Sequence, residues 1–168
     1  MTVLRGVALA SGAAIALLGA AEANATGYAV REQSGSLLGQ AFAGQNAYAL
    51  DPSIIFYNPA GMSALDGTRA SAVASFIFPK NEFQNDGSTP PLLLGTNEGG
   101  DAGENALVPA FYAMTSVGDF RFGVGVNAPF GLSTEYDDGW IGRYAALDSK
   151  LKTININPVV SYQATDWL

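Results

Sequence analysis

Three segments of this chain alternate between apolar residues and polar or small residues, and this alternation constrains the fold more than any other feature. They are Thr68–Phe78, Phe120–Ala128 and Lys150–Gln163, and a fourth segment, Leu107–Ser116, is apolar on both faces. Because successive side chains of a β-strand point to opposite faces, we predict that all of them are strands. Each is roughly ten residues long, close to the length with which a tilted strand crosses a bilayer.

Phe120–Ala128 has the clearest pair of faces. One face carries Phe120, Phe122, Val124, Val126 and Ala128, and the other carries Arg121, Gly123, Gly125 and Asn127. We predict that the apolar face is turned outward, away from the interior, and that the polar and small face is turned inward. Aromatic residues towards the ends of several strands are typical of the interfacial girdle of a membrane barrel.

The connections between the predicted strands alternate in length. Pro79–Ala106 and Pro129–Ser149 are long, whereas Ser116–Asp119 is a tight turn. This asymmetry is typical of a transmembrane antiparallel β-barrel, in which strands are neighbours in chain order. A secreted β-sandwich is the alternative all-β architecture. Four strands cannot close a barrel, for which about eight are needed, so we expect this chain to be the N-terminal part of a longer protein.

Residues 1–25 have the pattern of a secretory signal peptide. A short N-terminal segment with one positive charge precedes the apolar run Gly6–Ala21. Two overlapping small-x-small motifs follow, and cleavage is expected after Ala23 or Ala25. The run has about 16 residues, fewer than the roughly 20 that a membrane-spanning helix needs. The sequence therefore predicts a cleaved leader and export. Together with the predicted barrel, this predicts insertion into a bacterial outer membrane.

Cleavage after Ala25 makes Thr26 the expected first residue of the mature protein. N-terminal sequencing of the protein from an outer-membrane fraction measures this directly. A sequence that began at Met1 in that fraction would contradict the prediction.

Residues 26–66 are predicted to form a plug, or hatch, and residues 67–168 the first strands of the barrel. Within the hatch, Asp51–Met62 is apolar but carries Pro52 and Pro59, which remove backbone donors and fix φ. Gly61 then adds backbone freedom. A short helix is predicted over Ser36–Gly44, where apolar residues recur at helical spacing.

Composition excludes several classes of function. The chain has no His and no Cys, and its formal net charge is −7. The missing His argues against Ser-His-Asp and Cys-His catalysis, and the acidic charge argues against a nucleic-acid partner. We therefore predict no catalytic residues, no metal and no cofactor.

Several motifs, taken in order, resemble the outer-membrane long-chain fatty-acid transporter family (FadL-type), which also includes aromatic-hydrocarbon channels. Ser34–Gly44 and Asn58–Ala60 resemble the family's hatch, the latter matching its short Asn-Pro-Ala motif. Pro129–Leu132 and Trp140–Tyr144 resemble the exit of its third strand and the loop beyond, and Leu151–Pro158 resembles a further strand.

This resemblance implies a monomeric barrel that passively takes up hydrophobic compounds. Long-chain fatty acids are the expected substrates, and aromatic hydrocarbons are the alternative within the same fold. Substrates would bind an outer groove between loops, then an interior pocket, and leave sideways into the membrane at a kink in the third strand. Outer-membrane lipid and lipopolysaccharide are the implied surroundings. An outer-membrane acyl hydrolase and a structural or adhesive barrel are the alternatives from other classes.

Two groups of residues are candidates for gating and binding. Gly123 and Gly125 are candidates for the strand kink, and Asn58, Pro59 and Ala60 for the hatch segment that touches it. The alternatives are a small inward face that accommodates the hatch and a turn formed by the Asn-Pro pair. We hypothesise that filling this contact, as in Gly123→Phe, blocks uptake without preventing assembly.

The second group lies in the loop after the third strand. Trp140, Ile141, Tyr144 and Leu147 have the spacing of one helix face, which would line the outer groove, or else pack loop against loop. Arg143 is a candidate partner for a substrate carboxylate. Lys150 and Lys152 could bind either the substrate or the phosphates of lipopolysaccharide, and the sequence does not separate these roles.

Overall fold

The computed structural model describes residues 27–87 and 94–165, so the predicted signal peptide lies outside the described residues. The strands are β1 (Arg69–Ile77), β2 (Ala106–Val117), β3 (Phe120–Asn127), β4 (Gly131–Glu135), β5 (Asp148–Lys152) and β6 (Asn155–Tyr162). β1, β2, β3 and β6 form a four-stranded sheet in that order, with every pair antiparallel. β4 and β5 form a separate two-stranded antiparallel sheet.

The two faces of the large sheet are as the alternation predicts. The inward side chains of β2, among them Tyr112 and Met114, are buried against the hatch. The apolar side chains of β3 point outward, and Phe120 contacts its cross-strand partner Tyr162 with ring centroids 4.9 Å apart. This exposed aromatic and aliphatic face is suited to lipid.

The hatch (residues 27–66) packs on the inward face through three short helices. They are α1 (Gly35–Leu38), α2 (Ile54–Tyr57) and a 3-10 helix (Pro59–Ala64). The core between hatch and wall consists of Ile54, Ile55, Met62 and Leu65 together with Ala110, Tyr112 and Met114. Pro59 opens the 3-10 helix, where its missing N–H costs nothing because the first donors of a helix have no helical partner.

The predicted helix Ser36–Gly44 is wrong in extent, since the α-helix ends at Leu38. Phe42 N donates to Leu37 O at 2.8 Å, which closes the helix. Ala41 and Phe42 then adopt left-handed φ values of 51° and 60°. The chain continues in turns, so helical spacing of apolar residues here reflects turns rather than a continuous helix.

The predicted strand Lys150–Gln163 is also wrong, because it is two strands in two sheets. β5 ends at Lys152 and β6 begins at Asn155. The Thr153 side chain bonds the main chain of Phe130 instead of letting the ladder continue. β4, the partner of β5, was not predicted, because Gly131–Glu135 has no apolar alternation. No helix in the described part of the chain is long and apolar enough to span a membrane.

Candidate functional site

The wall is interrupted where β3 gives way to β4, and this interruption is the principal candidate site. We call it the strand break and define it as Ala128–Phe130 with the facing residues Thr153 and Ile154. β2 pairs with β3 only over Phe111–Val117, whereas it pairs with β1 as far as Ala106. Among the described strands, residues 106–110 of β2 therefore pair on one side only.

An apolar cavity of about 440 Å³ lies at the strand break. Leu107, Val108 and Pro109 of β2 line one side, and Phe130, Leu132 and Ile154 line the other. Its volume falls within the range of roughly 300–1,000 Å³ that small-molecule sites occupy. We refer to it as the break cavity.

The first residues of the hatch bond the main chain that the break leaves unpaired. Val30 N donates to Pro129 O at 2.9 Å, and Gly131 N donates to Tyr28 O at 3.1 Å. Ala29 and Phe130 form an antiparallel bridge between these bonds. Buried main-chain groups need partners, so this segment supplies the pairing that β2 no longer supplies.

Gln33 completes the cover of the strand break. It is 0% exposed, and its side-chain amide donates to Ala128 O at 2.8 Å and to Val30 O at 3.2 Å. On the other flank, Thr153 Oγ1 donates to Phe130 O at 2.7 Å and accepts from Phe130 N at 3.0 Å. Sequence reasoning missed Val30, Gln33 and Thr153.

Gly123 and Gly125 do not form the break. β3 pairs without interruption with both β2 and β6 at these residues. A Cβ at Gly123 would lie 2.8 Å from both Ile55 Cδ1 and Met62 Sδ, and one at Gly125 would lie 3.3 Å from Ile55 Cγ2. The geometry therefore favours the alternative interpretation, in which a small inward face accommodates the hatch.

Asn58, Pro59 and Ala60 lie at the start of the 3-10 helix. The Asn58 side chain accepts a hydrogen bond from Ala60 N at 3.2 Å and donates to Asn46 O at 2.7 Å. Its polar atoms therefore bond the hatch's own main chain rather than a broken strand. The 3-10 helix does contact β3, through Met62 at Gly123.

Trp140 and Ile141 join the two long loops to each other. The segment containing them is a series of turns, not the predicted helix. The Trp140 ring stacks on Tyr136 with centroids 3.7 Å apart and meets Phe83 edge-on at 5.6 Å. Ile141 is 3% exposed and donates its N–H to Asn97 O. Both residues pack loop against loop.

Arg143 is occupied by the loops as well. Its Nη1 donates to Leu94 O at 2.9 Å and to Trp140 O at 3.0 Å. Its guanidinium carbon lies 4.7 Å from the centre of the Tyr144 ring, a cation–π contact. Tyr144, another loop residue predicted to line the outer groove, is 78% exposed and open to solvent.

Two polar anchors hold the hatch on the wall. The Asp51 carboxylate accepts hydrogen bonds from Ser36 Oγ, Ser53 N and, at 3.4 Å, Ser71 Oγ of β1. Partial burial alone would raise the pKa of Asp51, but the hydrogen bonds outweigh it and the pKa lies below its ordinary value. The carboxylate is therefore ionised at neutral pH.

The second anchor is Arg121, which is 6% exposed. Its Nε donates to Leu65 O at 3.0 Å and its Nη2 contacts Asp66 Oδ1 at 3.0 Å. Its Nη1 donates to Gly118 O at 2.8 Å in the tight turn. One side chain thus joins the end of the hatch to the β2–β3 turn.

Comparison with known proteins places these features in a family. Residues 16–168 match the family described as outer membrane protein transport protein (OMPP1/FadL/TodX). The chain belongs to this family. A crystal structure of a Pseudomonas aeruginosa FadL homologue superimposes with a TM-score of 0.65 at 30% identity, covering 83% of this chain and 35% of that one.

Two curated relatives extend the comparison. Outer membrane protein P1 of Haemophilus influenzae is 32% identical over 164 residues, which is 90% of this chain and 36% of the relative. The long-chain fatty acid transport protein of Escherichia coli K12 is 28% identical over 151 residues, 89% and 33% of the two chains. This chain spans about a third of the length of these relatives. As a FadL-family protein it is an outer-membrane β-barrel protein.

Proposed function

We propose that this FadL-family protein is a passive channel for hydrophobic compounds and that its substrates are long-chain fatty acids. The substrate leaves the barrel sideways through the strand break. The observation that carries the proposal is an apolar cavity beside a wall interruption that the hatch covers with its own main chain. The name of the E. coli relative supports fatty acids as the cargo. The barrel is proposed to be monomeric and to contact outer-membrane lipid and lipopolysaccharide.

A sideways route is favoured by the energetics of an acyl chain. Passing such a chain through water costs about 0.8 kcal/mol per CH₂. A path from the cavity into the bilayer avoids that cost, but it needs unpaired strand edge, which is tolerated in a membrane only where protein covers it. Val30, Gln33 and Thr153 provide that cover here.

Closing the strand break is expected to abolish uptake. These 168 residues contain no Cys. In a full-length protein with any other Cys replaced by Ser, Pro109→Cys and Ala128→Cys, both lining the break cavity, can be joined by a short reducible thiol crosslinker. We expect uptake of labelled oleate into cells or proteoliposomes to fall at least tenfold and to recover after reduction.

A matched pair on continuous sheet serves as the control. Ala113 and Val124 are register partners of β2 and β3, so crosslinking Ala113→Cys to Val124→Cys adds the same chemistry where the wall is already closed. Normal uptake by the crosslinked 109–128 pair would overturn the proposed exit. Equal loss of uptake in both pairs would do the same.

Alternative functions are less well supported. An aromatic-hydrocarbon channel would use the same cavity, and comparing toluene with oleate uptake separates the two cargoes. An acyl hydrolase is less well supported, since these 168 residues contain no His and the relatives are named for transport or for the outer membrane. These 168 residues also contain no phosphate-binding Gly-Lys-Ser/Thr loop. A passive channel uses no energy source, so nucleotide hydrolysis by the purified full-length protein would contradict the proposal.

A further inference from the structure

The cations near the outer loops differ in how far they are already engaged. Arg143 is bonded to two loop carbonyls, as described above. Lys150 Nζ lies 3.3 Å from Asp148 Oδ2 and 3.7 Å from Glu135 Oε2, so it is paired with two carboxylates. Lys152, two residues further along β5, has no ion pair with any other described residue.

Lys152 also differs from Lys150 in position, because it lines the break cavity and Lys150 does not. Glu104 is the other charged residue of the lining. Both are exposed, while most of the remaining lining is aliphatic or aromatic. The cavity therefore combines an apolar interior with one free ammonium group and one carboxylate at its edge.

We propose that Lys152 binds the carboxylate of a single-chain amphiphile whose apolar tail occupies the break cavity, and that Glu104 weakens this binding by repulsion. The inference rests on the function proposed above and names the substrate class of that site. A cavity of about 440 Å³ suits one acyl chain rather than the several chains of lipopolysaccharide. A cation beside an apolar surface is complementary to an anionic head on an apolar tail.

The charge effect is expected to be modest because both residues are exposed. Ion pairs at such sites are typically worth a few tenths to one kcal/mol. This corresponds to a change of about threefold in the dissociation constant. The opposite signs at Lys152 and Glu104 make the effect identifiable despite its size.

The test measures binding of oleate and of oleyl alcohol, below their micelle concentrations, to the detergent-solubilised full-length protein by titration calorimetry. We expect Lys152→Gln to weaken oleate binding about threefold and Glu104→Gln to strengthen it by a similar factor. Lys150→Gln, the matched comparison on the same strand, should weaken oleate binding less than Lys152→Gln does, because Lys150 does not line the cavity and acts only by offsetting the charge of Glu104. None of the variants should change binding of the uncharged alcohol.

Four outcomes would overturn the inference. Lys152→Gln and Lys150→Gln could affect oleate equally, or Lys152→Gln could affect oleate and oleyl alcohol equally. Glu104→Gln could weaken oleate binding. A two-chain phosphatidic acid could compete as well as oleate, which would identify a membrane phospholipid as the occupant. Any of these outcomes rejects the role of Lys152 but not the proposed channel, which the crosslinking experiment tests separately. A protein that bound neither oleate nor oleyl alcohol would overturn the proposed function as well.

Discussion

Replacing Arg121 with alanine is expected to loosen the end of the hatch from the wall by about 2 kcal/mol, since hydrogen bonds from charged donors contribute roughly that much. The loss comes from the bond to Leu65 O, because the bond to Gly118 O holds Arg121 within its own β2–β3 hairpin. The ion pair contributes little, because the Asp66 side chain is 87% exposed. Hydrogen exchange of the amides around Leu65 should accelerate about thirtyfold, measured on the full-length protein by mass spectrometry.

Arg69→Ala is the matched control. Arg69 also donates to this segment, from its Nε to Asp66 O at 2.8 Å, but the residue is exposed on β1. Its removal should change exchange by less than about threefold. Equal acceleration in both variants would show that Arg121 is not a specific anchor.

Gly123→Phe is expected to displace the hatch from the inward face of β3. A Cβ alone would lie 2.8 Å from Ile55 Cδ1 and Met62 Sδ, and a benzyl group must occupy space that both side chains fill. Overpacking of this kind costs about 1–3 kcal/mol or more. We expect faster proteolysis of the hatch in a barrel that still assembles, whereas Gly123→Ala should be milder, because the contacted atoms are the ends of flexible side chains.

A second substitution tests whether packing is the cause. Shortening Met62 in the double variant Gly123→Phe/Met62→Ala should restore much of the protease resistance, since it frees volume next to the new ring. If the double variant were as sensitive as the sum of the two single variants, the contact at Gly123 would not explain the effect. Because β3 is paired without interruption on both sides at Gly123, we expect a larger residue there to act by displacing the hatch and not by blocking a sideways exit.

The sequence predicts the parts of the fold that depend on a period of two residues. β1, β2 and β3 begin and end within one residue of the predicted segments, and their neighbours are in the predicted order. The split between β5 and β6 is not predictable in this way. Both strands alternate, so the pattern runs through Thr153 and Ile154 even though the hydrogen bonding does not.

The candidate site was predicted less well, for a different reason. The resemblance located the end of the third strand at Pro129, and a Pro, which lacks an N–H, does interrupt the ladder there. The residues that cover the break come from the other end of the chain. Val30 contributes a main-chain N–H and Gln33 an ordinary amide side chain, so neither has a local pattern that distinguishes it.

The cover of the strand break has a consequence for the order of folding. The cover joins Gln33 to Ala128, which lies 95 residues later in the chain. Residues 28–33 are therefore synthesised long before the residues that they bond. Contacts between distant parts of a chain form late because closing a long loop costs entropy before any bond repays it. We therefore expect residues 28–33 to stay unattached until β3 and β6 have paired. The wall would then insert with the strand break uncovered, and the segment synthesised first would cover it last.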